Sequence, residues 1–212
     1  MLVAELTRNR DFAYPWAKWG AQAWLWMRGV QLKIRGLENI QKDQSYVFVS
    51  NHRSYLDTAI MFAYTNKKMG VIGKKELLKL PVAGTFITYV NVIAIDRSNT
   101  ERAIETMNNV RRIMESGISF GVYPEGTRAL SGELLPFKKG AFHLAFDAQM
   151  PIIPMIVKNS DRLMGKRGGV AEPGTIEVVY LEPIPTKGLT AEKDLETLRD
   201  KVRALIAEEL AK

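Results

Sequence analysis

Cysteine is absent from the 212 residues. That excludes disulfides, thiolate nucleophiles and cysteine-ligated metals. Histidine is scarce: only His52 and His143 occur, too few for a histidine-rich metal site. The first ten residues, Met1 to Arg10, lack a signal-peptide apolar core and a cleavage site, which sets the expectation of a cytoplasmic protein. Internal repeats, low-complexity segments and nucleic-acid-binding motifs are missing too. What is present is an ordinary globular composition, 46% hydrophobic and 25% charged, in a chain long enough for one domain with a sizeable core. The departure is in charge. Thirty basic against 23 acidic residues give a net +7, which favours anionic partners: a phosphorylated substrate, an acidic membrane surface or nucleic acid.

All four tryptophans fall within eleven residues, at Trp16, Trp19, Trp24 and Trp26. At helical period Phe12, Trp16, Trp19, Ala23, Trp26 and Val30 share one face, with Lys18 and Gln22 on the other and Arg28 at its edge. Lys18, Gln22 and Arg28 interrupt the run too often for a spanning helix, which needs about 20 largely apolar residues. A helix lying in the membrane interface fits better, with tryptophans at headgroup depth and cations towards lipid phosphate. Packing on the protein's own core is the competing reading, but a core helix seldom needs so many tryptophans. Residues 1–30 are therefore expected to form an amphipathic membrane-associating segment ahead of an α/β domain over 31–212.

Beyond residue 30, strand and helix patterns alternate. Short apolar runs at 31–36, 46–50, 69–72, 92–95, 118–123, 150–157 and 175–181 read as strands. Helices are expected from Ser54, over 77–89 in two pieces broken at Pro81 and Gly84, from Ser98, over 141–148, and after Thr190 acting as a cap. Residues 77–89 are apolar enough to line an acyl-chain groove, or simply to pack as a core helix pair. His143 falls inside the apolar pattern of 141–148 and is read as packing. Pro151 and Pro154 place the 150–157 strand at a sheet edge or at the start of a run. The alternation predicts an α/β fold, a mixed, largely parallel sheet flanked by helices, with some antiparallel edge.

Chemistry-bearing residues follow three of these strands: Asn51 to Asp57, Asp96-Arg97, and Glu125 to Arg128. In open α/β sheets ligand sites lie beyond the carboxyl ends of strands. His52, Arg97 and Arg128 are therefore expected to converge on one cleft if their strands are parallel neighbours. Ser54-Tyr-Leu-Asp57 has capping-box spacing and opens a helix. On a continuous helix, residues five apart project about 140° from each other, but His52 sits in the turn before the cap. There the imidazole can fold back over the first helical turn, giving Nδ1–H to Asp57 and leaving Nε2 as a general base. Capping alone is the competing role for Ser54 and Asp57. Arg97 and Arg128 suit bidentate phosphate binding, with surface ion-pairing as the alternative. Gly126 allows close backbone approach to a ligand, and Thr127 offers a hydroxyl donor. Lys74, Lys75, Lys138 and Lys139 extend this basic field or are solvated surface charges. Glu125 pairs with an arginine or binds a substrate hydroxyl.

These stretches resemble the motifs of the glycerolipid acyltransferases of the 1-acyl-sn-glycerol-3-phosphate acyltransferase type. The first motif of that family, N-H-x-S-x-x-D, is matched throughout by Asn51 to Asp57. The third, an apolar or aromatic pair before P-E-G-T-R, is matched by Val122 to Arg128, with Tyr123 where phenylalanine is commonest. The fourth, a proline-bearing apolar strand, corresponds to Met150 to Pro154. The second is looser: Asn91 and Ala94 replace the usual glycine and phenylalanine, while Ile95 and Arg97 are in place. The resemblance implies a glycerol-3-phosphate acyltransferase-like fold, His52 as general base and Asp57 as its orienter. It implies that Arg97, Glu125, Gly126, Thr127 and Arg128 hold a glycerol phosphate; Lys74, Lys75 and Lys138 are offered as further contacts by the basic field alone. The implied reaction moves an acyl group from acyl-CoA or acyl-carrier protein to lysophosphatidic acid, with no covalent acyl-enzyme, cofactor or metal. It would run at the cytoplasmic face of a membrane, with Trp16, Trp19, Trp24 and Trp26 as lipid contacts. Two readings stand beside it. One keeps the chemistry and changes the acceptor to glycerol 3-phosphate, another lysophospholipid or a lyso-aminolipid. The other is a catalytically idle lipid- or nucleic-acid-binding protein.

Overall fold

The computed structural model describes residues 13–74, 92–95, 100–130, 132–167 and 169–212. Phe12, Lys75, the expected helix pair at 77–89, Arg97 and the cap at Ser98 lie outside them. The described elements are Ala13–Met27 (α1), Val30–Arg35 (β1), Val47–Ser50 (β2), Tyr55–Tyr64 (α2), Met69–Lys74 (β3), Val92–Ile95 (β4) and Thr100–Glu115 (α3). They continue with Ser119–Val122 (β5), Gly140–Asp147 (α4), Ile152–Lys158 (β6), the short Ser160–Leu163 (α5), Gly174–Tyr180 (β7) and Ala191–Ala211 (α6).

The strands build one sheet in the order β1-β7-β6-β2-β5-β3-β4. β2 to β6 share one direction, while β1 and β7 run the opposite way at one edge and meet β6 antiparallel. This is the mixed, largely parallel sheet that the alternation predicts. The order itself needs two corrections. β4 is the far edge strand, with β3 between it and β5, so the segment bearing Arg97 does not follow a neighbour of β2 or β5. And β6 is not an edge strand despite Pro154, since it lies between β7 and β2. The carbonyl of Pro154 accepts the N–H of Leu181 at 3.0 Å, so its missing N–H points to the same side. There the β6–β7 ladder ends at the Met155–Tyr180 pair and pairing resumes one residue out of register at Ile152–Ile184, so the proline sits at a bulge, where its missing bond is tolerated.

β2 is buried along its whole length, and its side chains alternate between two cores as strand geometry requires. Val47 and Val49 pack with α3, α4 and α6 on one face of the sheet. Phe48, after Tyr46, packs with α1 and α2 on the other. α2 comes down close on β5 because Gly121 has no side chain; a Cβ there would overlap the sulfur of Met61. At the antiparallel edge, Glu209 of α6 accepts from Arg35 (2.9 Å), Lys158 (3.0 Å) and Lys212 (3.2 Å). Burial opposes that charge, but the three cations outweigh it and hold the carboxyl at about 2.

α1 is amphipathic in the expected sense, and the structure shows which side faces the protein. Ala17 and Leu25 are buried. Tyr14 donates to the Met69 carbonyl (2.7 Å), Lys18 to the Asn66 side chain (3.1 Å) and Gln22 to the Ala63 carbonyl (3.3 Å). The polar side therefore grips the body, and Lys18 is tied to Asn66 rather than reaching outward. Trp16, Trp19 and Trp26 are 60%, 65% and 79% exposed. Trp24 departs from its three companions: it is half-buried against the α2-side core. Two smaller expectations also shift. Thr190 does precede α6, but its side chain makes no cap; instead its N–H donates back to Asp194 at 2.9 Å. His143 sits on the exposed side of α4 rather than in the core.

Candidate active site

Ser54 is the N-cap of α2, and its hydroxyl accepts the N–H of Leu56 at 3.2 Å. Asp57 completes the capping box by accepting the N–H of Ser54 at 2.8 Å. The same carboxylate oxygen, Oδ2, takes the N–H of Arg53 at 2.8 Å and meets Nδ1 of His52 at 2.9 Å. Asp57 is fully buried and His52 is 17% exposed. An acceptor-only carboxylate sets Nδ1 as the protonated ring nitrogen, which leaves the lone pair on Nε2. The fold-back expected of His52 is thus present, and the two roles of Asp57 coexist in one oxygen.

The segment after β5 holds His52 by its backbone. Residues 49 and 122 are register partners in β2 and β5, so the two loops leave the sheet side by side. Glu125 accepts the N–H of His52 at 2.8 Å, and Ala129 donates its N–H to the His52 carbonyl at 2.7 Å. The second oxygen of Glu125 takes the N–H of Leu135 at 3.0 Å. Burial raises the Glu125 carboxyl above its ordinary range, against the pull of the Leu135 and His52 N–H groups. Both oxygens of this buried carboxylate serve the backbone. In this structure Glu125 orders the turn. Gly126 closes that turn at φ +74°, donating its N–H to the Tyr123 carbonyl at 3.0 Å; the left-handed conformation explains the glycine.

Asn51 locks the loop to the sheet from the other side. Its amide donates to the Val157 carbonyl and accepts the Val157 N–H, both at 2.9 Å. Arg53 donates to the Glu133 carbonyl at 3.0 Å, tying down the loop that follows Arg128. The guanidinium of Arg128 lies 3.8 Å from the centroid of the Tyr55 ring, and its Nη1 is buried with no hydrogen-bond acceptor. A buried cationic donor without an acceptor is costly, and an anion is the partner that relieves it. Thr127 is exposed on the same turn, and Lys138 is exposed farther along the chain. Lys139 pairs with Glu196 at 2.7 Å. Lys74 ends β3. Tyr123 has a place that sequence reasoning misses: its ring stacks on the imidazole of His52, centroids 3.9 Å apart and 16° between planes. Among the described residues, no group of three histidine or carboxylate side chains gathers in a way that could hold a metal ion.

A part-exposed histidine on a buried aspartate at the end of a parallel strand, beside an arginine with an unpaired donor, suits proton removal from the hydroxyl of an anionic substrate. Comparison with known proteins places the chain in a family. The Acyltransferase family profile matches residues 31–158. The human 1-acyl-sn-glycerol-3-phosphate acyltransferase alpha is 38% identical over 179 residues, covering 84% of this chain and 63% of that protein. The 1-acyl-sn-glycerol-3-phosphate acyltransferase of Saccharomyces cerevisiae is 37% identical over 180 residues, covering 84% of this chain and 59% of that protein. This chain therefore spans less than two thirds of either relative. The crystal structure of the 1-acyl-sn-glycerophosphate (LPA) acyltransferase PlsC from Thermotoga maritima superposes with a TM-score of 0.81 at 27% identity, over 97% of this chain and 81% of that one.

Proposed function

This chain belongs to the acyltransferase family, and from that premise we propose that it moves a fatty acyl group from a thioester to the sn-2 hydroxyl of 1-acyl-sn-glycerol 3-phosphate, giving phosphatidic acid. The observation that carries the reading is the 2.9 Å contact between His52 Nδ1 and Asp57. Nε2 of His52 takes the proton of the acceptor hydroxyl, and the oxygen attacks the thioester carbonyl. The tetrahedral intermediate expels the thiolate of coenzyme A or acyl-carrier protein, which takes the proton back from the imidazolium. Asp57 keeps the ring in the required tautomer and offsets its transient charge. Ser54 is not needed as a nucleophile, since its hydroxyl caps α2, and the step requires no cofactor beyond the thioester. Arg128 binds the acceptor phosphate, aided by Gly126 and Thr127. Arg97, Lys74, Lys75 and Lys138 are assigned to the same anion from the sequence alone.

Thioester consumption, followed across lysophosphatidic acid, glycerol 3-phosphate, neutral lysophospholipids and a lyso-aminolipid, tests the reading. Lysophosphatidic acid is expected to give the highest kcat/KM. A higher value on another acceptor would keep the chemistry and replace the substrate, and no consumption with any of them would end the enzymatic reading.

The exposed side of α1 fits a monotopic attachment to the cytoplasmic face of a membrane. No helix among the described residues is long and apolar enough to cross one. Outward tryptophans on a helix whose polar side is already satisfied by the protein suit the headgroup region. Replacing Trp16, Trp19 and Trp26 together with alanine is expected to weaken binding to anionic vesicles about 100-fold, at about 1 kcal/mol per partly buried ring. Sedimentation with vesicles measures this, and undiminished binding would move the lipid contact elsewhere.

A further inference from the structure

One hydrogen bond does not fix an imidazole. With only the Nδ1 contact to Asp57, the His52 ring can still swing about that bond, and Nε2 would sweep an arc. Its face is covered, however, by the ring of Tyr123, stacked at 3.9 Å and 16°. Tyr123 follows β5 directly and is buried. Its hydroxyl lies 3.2 Å from Oγ1 of Thr58, and Thr58 is the residue after Asp57 in α2. Two consecutive residues of one helical turn therefore hold the imidazole, Asp57 by its edge and Thr58 through Tyr123 by its face. We propose that Tyr123 is a positioning residue for the base, its ring setting the plane in which Nε2 points and Thr58 setting the ring. The stacked face also favours the imidazolium formed during proton transfer, because an aromatic quadrupole attracts a cation over its face. Burial, and then the Asp57 carboxylate, push the Tyr123 phenol well above its ordinary range, so the hydroxyl stays protonated and serves as a tether.

The activity arm of the test rests on the acyl-transfer reading, but the structural arm does not. His52 and His143 are the only histidines, and His143 is exposed, so H143Q identifies the His52 ring protons by NMR. In the otherwise unchanged protein they are expected upfield, shifted by the ring current of Tyr123. Y123L loses that shift, while Y123F and T58V, which each cut the Thr58 tether and keep the ring, fall between. Because small misplacements of catalytic groups cost up to about 100-fold, kcat for Y123L is expected to fall about 10- to 100-fold, with both KM values within about threefold. Y123F and T58V, which keep the ring and lose only its tether, fall between wild type and Y123L. Full kcat in Y123L after loss of the shift, or Y123F as impaired as Y123L, would overturn the proposal. So would the absence of an upfield shift in the parent protein. If no acceptor supports thioester consumption, the acyl-transfer reading fails, and the ring-proton shifts of the folded variants alone decide the placement of Tyr123. Thermal melting identifies which variants are folded, and T58V keeps the test open if Y123L is not.

Discussion

His52→Ala is expected to stop the proposed acyl transfer and leave the fold intact. General base catalysis contributes about 10²- to 10⁴-fold, and a loss of at least 10³-fold in kcat is expected here, because the only other histidine, His143, lies on α4. The substitution is clean for a structural reason. The backbone of His52 keeps its bonds to Glu125 and Ala129, and Asp57 keeps the N–H groups of Arg53 and Ser54. Asp57→Ala is the less clean experiment. It removes the orienter and the capping box together, so it combines a catalytic loss with about 1 kcal/mol or more of helix-cap stability. Single-turnover thioester consumption, run beside a thermal melt, separates the two. Turnover by His52→Ala within about tenfold of wild type would remove His52 as the base.

Arg128→Ala raises the acceptor KM and spares the thioester. A charge-assisted hydrogen bond contributes about 1.5–3 kcal/mol, and each 1.4 kcal/mol is a factor of ten. The acceptor KM should therefore rise about 10- to 100-fold, with the thioester KM within about threefold. Arg128→Lys should recover only part of the loss. Lysine restores a charge, but not the flat guanidinium on Tyr55 or the two-pronged donor geometry. The comparison is made with saturating thioester and varied lysophosphatidic acid, then the reverse. Equal losses for both substrates would contradict a phosphate site at Arg128.

The His52–Asp57 pair is legible in the sequence because its geometry is local. A capping box specifies the first turn of a helix whatever the rest of the chain does, and His52 lies just outside it. What surrounds the pair is not legible in this way. Tyr123 can stack on His52 only because β5 neighbours β2, and alternation of strands and helices gives direction without order. The same gap misplaces β4, which β3 separates from β5. Glu125 and Asn51 bond to backbone groups, of His52 and Leu135 in one case and Val157 in the other. Backbone donors and acceptors are the same at every residue, so these partners leave no trace in side-chain pattern. Pro154 misleads because the edge rule assumes that its missing N–H faces an unbroken ladder, and here the register slips by one residue between the Met155–Tyr180 and Ile152–Ile184 pairs. For α1, periodicity finds two faces but cannot say which one the protein will cover. His143 shows the same limit on α4.

The seating of α1 has a kinetic consequence. Its polar side chains are spent on α2, β3 and the turn between them, which seats the tryptophan side on the helix that His52 precedes. On the proposed attachment and reaction, the enzyme would meet its acceptor in two dimensions. Its rate then follows the mole fraction of acceptor in the surface rather than the amount in the tube. Adding inert phospholipid to the vesicles slows each bound molecule, while diluting the same vesicles in buffer does not.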